Sequence, residues 1–284
     1  MKNKISFSSS PLTRITNSKY YDLEKTLDVM LKLWNYSIIQ GFEFQHLAEW
    51  SICHPPKDTD PRYDRKNTWN KSLKYSISEL ATKVNKLNVP ILSIHGNRDI
   101  GVLLCSDNRE EVKNGKKLII DSISLTKLVN ANLCVFHIWD TQIKNFEVSK
   151  LSKIVKSLST KFPNIILSIE NIPTNVSDST PFDLASEFDY ITLDLRWCAV
   201  YDELRRFSKI KHKIVNIHIR GDLIGTCWKL KKAPFTIEEA LNLILNEWNY
   251  KGILTFEPEG GLFGAKWEDL VLAITSIFKL FQIN

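Results

Sequence analysis

Six short apolar runs of this sequence each end in a histidine or a carboxylate residue. Every run is rich in β-branched residues and is bounded by proline, glycine, asparagine or charge, which is typical of a buried β-strand. Successive runs are separated by about 20 to 40 residues, the length of one helix and two loops. The six run ends are His95, His137, Glu170, Asp194, His218 and Glu257. This spacing predicts repeated strand–helix units.

Two earlier strands, Lys4–Ser8 and the run GFEFQHL ending near His46, bring the count to eight units. Eight units predict a (β/α)8 TIM barrel, and the absence of a linker-like stretch predicts a single domain over residues 1–284. In such a barrel the carboxyl ends of all strands share one face, so the six polar ends should converge. A doubly wound open sheet is the alternative. It normally has a glycine-rich turn after its first strand, and SSSPLTRIT contains no glycine.

The intervening segments are predicted to be helical. The first helix is expected over Tyr21–Ile39, and the second ends near Lys86, after a long loop at Ser51–Asn70. The seventh opens with Thr236-Ile-Glu-Glu239, the pattern of a capping box. Helices three to eight are expected, in chain order, near Arg109–Ala131, Val148–Lys161, Pro181–Phe188, Val200–Ser208, Phe235–Asn249 and Ala265–Phe281.

Composition narrows the class of protein only modestly. The net charge of +6 is compatible with a phosphorylated or nucleic-acid partner and requires neither. No apolar stretch reaches the roughly 18 residues of a membrane span, and no apolar signal core precedes the first strand, so we expect a cytoplasmic protein without a membrane partner. The five cysteines form no CxxC pair, which argues against a disulfide framework and a thiolate zinc site.

Four of the polar strand ends have the chemistry of a cation site. Glu170, Asp194 and Glu257 supply carboxylates, and His218 supplies an imidazole. This set suits a hard or borderline divalent ion such as Mn²⁺, Mg²⁺, Co²⁺ or Zn²⁺. Carboxylates that converge in a barrel without a cation would repel one another and lose hydration. The sequence therefore predicts a divalent metal as cofactor.

The motifs around these residues resemble those of a known superfamily. IENIP, LDLRW, HIRGD and TFEPEGG are similar to the fifth to eighth strand motifs of the xylose isomerase-like TIM barrels. That superfamily includes sugar isomerases and epimerases as well as endonuclease IV-type AP endonucleases. By this resemblance, the four residues just described match the shared metal ligands. His95 and His137 match histidines that help bind a second metal in the endonuclease branch.

The chain departs from the endonuclease pattern at three ligand positions. Trp197 stands where a histidine often follows the sixth-strand aspartate. The loop GDLIGTCWKLKKAPF has no histidine, whereas the endonuclease branch has an Asp-x-His pair there. A trinuclear zinc centre would therefore lack ligands. A dinuclear site remains open, and the mononuclear isomerase-type site is complete.

The resemblance implies three alternative reactions. The favoured one is isomerisation or epimerisation of a small sugar or sugar phosphate through a metal-stabilised enediolate, with Glu170 and Glu257 acting both as ligands and as catalytic acid/base groups. The first alternative is a two-metal phosphodiesterase related to the AP endonucleases, supported by His95 and His137. The second is a metal-dependent lyase or dehydratase, because an enediolate can also eliminate.

Aromatic and basic residues after the strand ends are candidates for substrate binding. The rings of Trp139 and Trp197 suit the C–H faces of a sugar, or form a hydrophobic wall. Arg220 and the basic segment Trp228–Lys232 follow the seventh strand, where TIM barrels often bind phosphate; a solvated basic loop is the alternative.

The sequence gives only weak signals for macromolecular partners. The basic stretch Arg62–Lys66 could contact nucleic acid, but interleaved acidic residues weaken that interpretation. A homo-oligomer would be ordinary for a barrel, and the sequence favours no particular stoichiometry.

Overall fold

Eight parallel strands close into a barrel in the computed structural model, which describes residues 3–18, 22–46 and 75–281. A ninth strand, β8, lies outside the ring. The strands are β1 (Lys4–Ser8), β2 (Gly41–Gln45), β3 (Ile91–His95), β4 (Leu133–Phe136), β5 (Ile166–Glu170), β6 (Ile191–Asp194), β7 (Ile214–Ile224), β8 (Cys227–Lys229) and β9 (Ile253–Gly260).

The strands pair in chain order around the ring. β1 to β6 are consecutive neighbours, β9 pairs with β1 and β7, and pairing of β6 with β7 closes the barrel. Asp194 lies opposite His218 in that closing pair, and Gln45 lies opposite His95. The predicted (β/α)8 barrel is therefore confirmed, and the open-sheet alternative is wrong.

Helices cover the outside of the barrel. They are α1 (Ser9–Leu12), α2 (Leu23–Trp34), α3 (Ile77–Asn85), α4 (Asp99–Leu104), α5 (Arg109–Leu128), α6 (Val148–Lys161), α7 (Pro181–Ala185), α8 (Leu195–Tyr201), α9 (Ile237–Asn242) and α10 (Trp267–Phe281). The predicted loop at Ser51–Asn70, with the basic stretch inside it, lies outside the described residues. Among the described residues, no helix is both long and apolar enough to cross a membrane.

Side-chain caps explain where several helices begin. The Thr236 side chain accepts a hydrogen bond from the Glu239 amide, and the Thr236 amide donates to Glu239 Oε2, which confirms the predicted capping box. Ser76 forms the same motif at the start of α3. Asp22 accepts from the Lys25 amide, so α2 begins at Leu23 rather than at Tyr21. Each cap satisfies amides that lack a partner in the first helical turn.

The region from β6 to β8 differs most from the prediction. The helix expected over Val200–Ser208 is replaced by α8 and a 3₁₀ segment, Leu204–Lys213, with Asp202 between them in the left-handed region at φ 51°. Asp194 is the last residue of β6 and also caps α8, so that helix starts directly at the strand end. Strand β7 is long enough to continue beyond the barrel and pair with β8 as an antiparallel hairpin.

The barrel interior is polar, whereas the layer between strands and helices is apolar. Phe42 and Phe44 are fully buried on either side of Glu43, and Phe256 packs edge-on against Phe278 of α10. Inside the barrel, buried Glu43 accepts hydrogen bonds from Ser93 and Asn216. The alternation of a strand thus turns Glu43 toward the barrel axis, beneath the strand ends.

Candidate metal centre

The six predicted strand-end residues come together at one place, around the Glu170 carboxylate. Glu170 Oε2 lies 3.2 Å from His95 Nε2, 3.0 Å from His137 Nε2 and 3.4 Å from His218 Nδ1. The Glu257 carboxylate lies 3.3 Å from His218 Nδ1. His137 keeps 20% of its side chain exposed, and the other five residues are buried. The convergence expected from barrel geometry is present.

Four of these side chains form a compact set of donors. One ligand atom each from Glu170, Asp194, His218 and Glu257 can be chosen so that all lie within 4.8 Å of one another. Within the described residues, three buried atoms of this set, Glu170 Oε1, His218 Nδ1 and Glu257 Oε2, have no hydrogen-bond partner. Buried polar atoms are normally paired. Because the four residues offer donor atoms within 4.8 Å of one another, a divalent cation bound among them would satisfy such atoms.

Glu43 adds a fourth carboxylate to the three of the donor set, and the strand-end pattern did not reveal it. Its Oε1 lies 3.0 Å from His218 Nε2, and both side chains are fully buried. A proton on Nε2 that is donated to Glu43 leaves the lone pair of a neutral imidazole on Nδ1, the atom that faces Glu170 and Glu257. Such carboxylate–histidine pairs set the tautomer of metal-binding histidines.

Two of the three carboxylates of the donor set, those of Glu170 and Glu257, have lowered pKa values. Burial alone would raise the pKa of Glu170, but the nearby His137 and His218 hold it well below its usual range. Burial is likewise outweighed at Glu257, where Arg220 and His218 lower the pKa to about 2. Both groups are therefore proton acceptors at neutral pH.

The Asp194 carboxylate contacts both backbone amides and a neighbouring arginine. Its Oδ1 accepts the Arg196 and Trp197 amides, and its Oδ2 lies 3.4 Å from Arg220 Nη1. Asn171 accepts the Asp194 amide at 2.6 Å and fixes the strand end from the neighbouring strand. Burial nevertheless raises the pKa of Asp194 to about 8, which a bound cation would reverse.

His95, His137 and Glu170 form a second group of donors within 4.8 Å. His95 Nδ1 lies 3.0 Å from the Gly96 carbonyl oxygen, so this nitrogen carries a proton. Burial lowers the pKa of His95, but hydrogen bonding to Glu170 and nearby carboxylates outweigh it and raise the pKa. For His137 the effect of burial prevails and the pKa falls. The two imidazoles that contact Glu170 therefore have pKa values shifted in opposite directions.

The three residues predicted to contact substrate occupy different positions. Arg220 reaches the centre and lies 3.4 Å from Asp194 and 3.9 Å from Glu257. Trp197 packs its ring 5.2 Å from the Arg220 guanidinium. Trp139 is buried in the core, where its indole N–H donates to the Pro173 carbonyl. The core position corrects the expectation that Trp139 faces the substrate.

A cavity of about 200 Å³ opens above the centre. It is reached from the carboxyl ends of the strands, the face on which TIM barrels bind substrates. Its walls are Ser10, Pro11, Arg14, Gln45, His95, Arg98, His137, Arg220, Glu257, Pro258 and Glu259.

The basic segment after β7 does not contribute to this cavity. Lys229 and Lys232 line a separate groove with α9 and α10, and Lys231 Nζ pairs with Asp222 at 2.7 Å. Of the predicted phosphate-binding region, only Arg220 faces the metal centre.

Comparisons with solved structures place this architecture among known barrels. No protein-family profile matches the sequence, and no curated protein matches it either. D-allulose 3-epimerase from Methylomonas sp., in complex with D-allulose, superposes with a TM-score of 0.67 at 10% identity, covering 100% of this chain and 98% of that one. An L-ribulose 3-epimerase gives 0.61 at 15% identity, with 99% and 86% coverage. At these identities the likeness shows that this chain shares the barrel fold of these proteins.

A third solved structure is also similar to this chain. It is a xylose isomerase domain-containing protein from Salmonella typhimurium LT2, with a TM-score of 0.59, 13% identity, and coverage of 99% of this chain and 98% of that one. A shared barrel fold does not determine the chemistry, which depends on this chain's own side chains. Three carboxylates, one imidazole and three unsatisfied buried atoms fit a divalent cation at Glu170, Asp194, His218 and Glu257.

Proposed function

We propose that this protein is a divalent-metal-dependent isomerase or epimerase of a small sugar or sugar phosphate. The observation that carries this proposal is the four-residue donor set, with its unsatisfied buried atoms, which reaches a cavity of about 200 Å³ through Glu257. The similarity of the fold to sugar 3-epimerases supports the same reaction class. Function does not follow from fold alone, so the proposal depends on these residues.

The metal would be held by Glu170, Asp194, His218 and Glu257. A bound divalent ion supplies Lewis-acid stabilisation of negative charge on adjacent oxygens of the substrate. Glu43 contributes by keeping His218 Nδ1 available as a donor, and Asn171 contributes by fixing the backbone at Asp194. The ion's identity among Mn²⁺, Mg²⁺, Co²⁺ and Zn²⁺ is a matter for measurement.

Glu170 and Glu257 are the residues proposed to move the proton. Glu257 lines the cavity and is held ionised by Arg220 and His218, so it can accept a proton from a carbon of the substrate. Glu170 is oriented by His95 and His137 and would exchange the proton on the other side of the substrate. His137, on the cavity wall, is placed to hydrogen-bond a sugar hydroxyl.

Metal content and hydrogen exchange test this proposal together. Elemental mass spectrometry of protein purified without a metal-affinity tag should find about one divalent ion per chain after reconstitution. In D₂O, NMR should show deuterium entering a carbon-bound position of at least one ketose among D-fructose, D-allulose, D-ribulose and their phosphates. A chain that binds no ion after reconstitution would overturn the proposal.

A matched pair of variants assigns the exchange to the site. Glu257→Gln should lower deuterium incorporation by about 10²–10⁴-fold, the contribution of a positioned acid/base group. The control Glu247→Gln changes an exposed residue outside the cavity and should leave the rate unchanged. Equal rates in the two variants would exclude Glu257 as the proton-transfer group.

A two-metal phosphodiesterase related to the AP endonucleases is the second candidate. The observation that favours it is the group of His95, His137 and Glu170, which shares Glu170 with the first donor set. Two or more zinc ions per chain and cleavage of abasic DNA would establish it. The lyase alternative would appear in the same NMR experiment as loss of water from the sugar.

A further inference from the structure

Gln45 is a polar residue of the cavity wall that has no role in the proposed mechanism. It is the last residue of β2 and lies opposite His95 in the β2–β3 pair. Since side chains alternate along a strand, Gln45 points to the same side of the sheet as Glu43, toward the barrel axis. Glu43 lies deeper, against His218, whereas Gln45 lines the cavity.

One end of the Gln45 side-chain amide is held by the protein. Its Nε2 donates to Ser8 Oγ at 3.0 Å, and the Gln45 backbone amide donates to Ser9 Oγ, also at 3.0 Å. Both serines are fully buried where β1 ends and α1 begins, on the strand next to β2. Gln45 itself is 9% exposed. The neighbouring strand therefore fixes the direction of this amide.

The other end of the amide is available to a ligand. Within the described part of the chain, no group donates a hydrogen bond to Gln45 Oε1. Because Ser8 holds Nε2 and the side chain lines the cavity, Oε1 is the polar atom that Gln45 offers there. A polar atom of a nearly buried side chain is normally paired. We therefore expect a molecule in the cavity to supply the missing donor.

We propose that Gln45 is a specificity-determining residue and that its Oε1 accepts a hydrogen bond from a free hydroxyl group of the sugar. This rests on the proposed function and narrows its substrate class. The amide oxygen needs a donor, whereas an ether oxygen or an ionised phosphate offers only acceptors. A sugar that is unmodified at the hydroxyl facing β2 is therefore favoured over one that carries phosphate there.

The position of Gln45 in the barrel supports this role. Gln45 on β2 and Glu257 on β9 line the same cavity, and these two strands flank β1 on its two sides. Their backbones are two strand spacings apart, about 10 Å. One sugar can therefore contact the proposed proton-transfer group Glu257 and also present a hydroxyl to Gln45.

Calorimetric binding of neutral ketoses to the metal-reconstituted protein tests the assignment. The probes are D-fructose, D-allulose and D-ribulose. Gln45→Met keeps the length of the side chain and removes its polar atoms, so it should weaken binding of the tightest-binding probe about 3–10-fold, the effect of one hydrogen bond. Gln45→Glu keeps an acceptor oxygen and should recover most of that loss. Elemental analysis should find the same metal content in both variants.

Gln142→Met is the matched control. Gln142 is exposed and does not line the cavity, and its Nε2 also donates to a hydroxyl group, that of Thr141. This substitution therefore removes a comparable amide and should leave the binding of all three ketoses unchanged.

Monodeoxy analogues of the tightest-binding ketose distinguish recognition from a structural role. Each analogue lacks one hydroxyl group. With the wild type, the analogue that lacks the hydroxyl facing Gln45 should bind about 3–10-fold more weakly than the parent ketose. With Gln45→Met this difference should vanish for that analogue alone, as expected when two changes remove the same interaction. A variant that only distorts the cavity would weaken the parent and every analogue to the same extent.

Failure of this inference can be told apart from failure of the proposed function. If Gln45→Met binds the ketoses as tightly as the wild type, or weakens every analogue equally, the assignment is overturned even where deuterium exchange is seen. If Gln45→Glu binds no better than Gln45→Met, Oε1 is not the acceptor, and the assignment is likewise overturned. If Gln45-dependent binding is observed and no ketose exchanges deuterium, the assignment stands and the isomerase proposal fails. If no ketose binds, both are overturned.

Discussion

Glu43 Oε1 lies 3.0 Å from His218 Nε2 inside the barrel. The two residues are 175 positions apart in the chain, and each is fully buried. Ser93 and Asn216 also donate to Glu43, at 2.9 and 3.1 Å, so its carboxylate is anchored on three sides. The imidazole ring therefore cannot turn without breaking a buried hydrogen bond.

Glu43→Gln should weaken divalent metal binding about 10–100-fold, the usual effect of removing the partner of a metal-binding histidine. The amide can present a donor to Nε2 and thereby move the lone pair away from the ligand position. Titration calorimetry with Mn²⁺ or Zn²⁺ measures the change. Glu110→Gln, at an exposed helix position, is the control. Equal affinities in the two variants would show that Glu43 does not orient His218.

His137→Ala distinguishes the two metal stoichiometries. If His137 binds a sugar hydroxyl, the variant should retain its single ion and show a raised KM with the deuterium-exchange assay. If it is a ligand of a second ion, elemental analysis should find one ion fewer per chain. The His137→Gln variant keeps a hydrogen-bonding group and should recover part of the KM only in the first case.

Acid should destabilise the protein partly through Asp183. Burial would raise its pKa, but hydrogen bonds from Thr180 and the charge of Arg206, with Nη2 at 2.7 Å, outweigh that and lower it. A carboxylate with a lowered pKa stabilises the fold above its unfolded pKa, and this contribution is lost as the pH falls through the folded value.

The matching variant is Asp183→Asn, which also weakens the capping box of α7. It should cost about 1 kcal/mol at pH 7, equivalent to about 2–4 °C in Tm for a chain of this size. Thermal melts of both proteins from pH 7 to pH 3 should converge, because protonation removes the same interaction from the wild type. A constant difference in Tm across this range would contradict the assignment.

Cysteine labelling should be selective among the cysteines that the structure describes. Cys227 is exposed, whereas Cys134 and Cys198 are buried, and burial raises the pKa of Cys105 to about 11. Since the thiolate is the reactive form, iodoacetamide at pH 8 should modify Cys227 first. Peptide mass spectrometry after brief labelling measures the order. Labelling of Cys198 as fast as Cys227 would mean that the β6 end opens readily.

The strand-end residues could be predicted because the carboxyl ends of all strands of a parallel barrel lie on one face. Each of His95, Glu170 and Asp194 closes an apolar run, and the structure places them in two groups of donors that share Glu170. The position of Glu43 was not predicted because it lies in the middle of GFEFQ rather than at its end. A carboxylate between two phenylalanines of a strand was the available signal, since only the interior of the barrel could accept it.

Loop residues were harder to place. Trp139 follows its strand end as His137 does, yet the chain turns its ring into the core, where the Pro173 carbonyl accepts its N–H. Arg14 and Arg98 carry no strand pattern at all, and their approach to the cavity depends on the path of the backbone between elements. Asn171 follows Glu170 directly, but its bond to the Asp194 backbone depends on the pairing of two strands.

The closed ring also separates the two tasks of the site along the chain. All four proposed metal ligands come from β5, β6, β7 and β9, which are adjacent in the barrel. Three polar groups on the cavity wall, Gln45, His95 and His137, come from the ends of β2, β3 and β4. If the proposed function is correct, substitutions in the first four strands could change which sugar is accepted and leave the proposed metal ligands on the later strands unchanged. Related chains with this arrangement could differ in substrate and still keep the four proposed metal ligands.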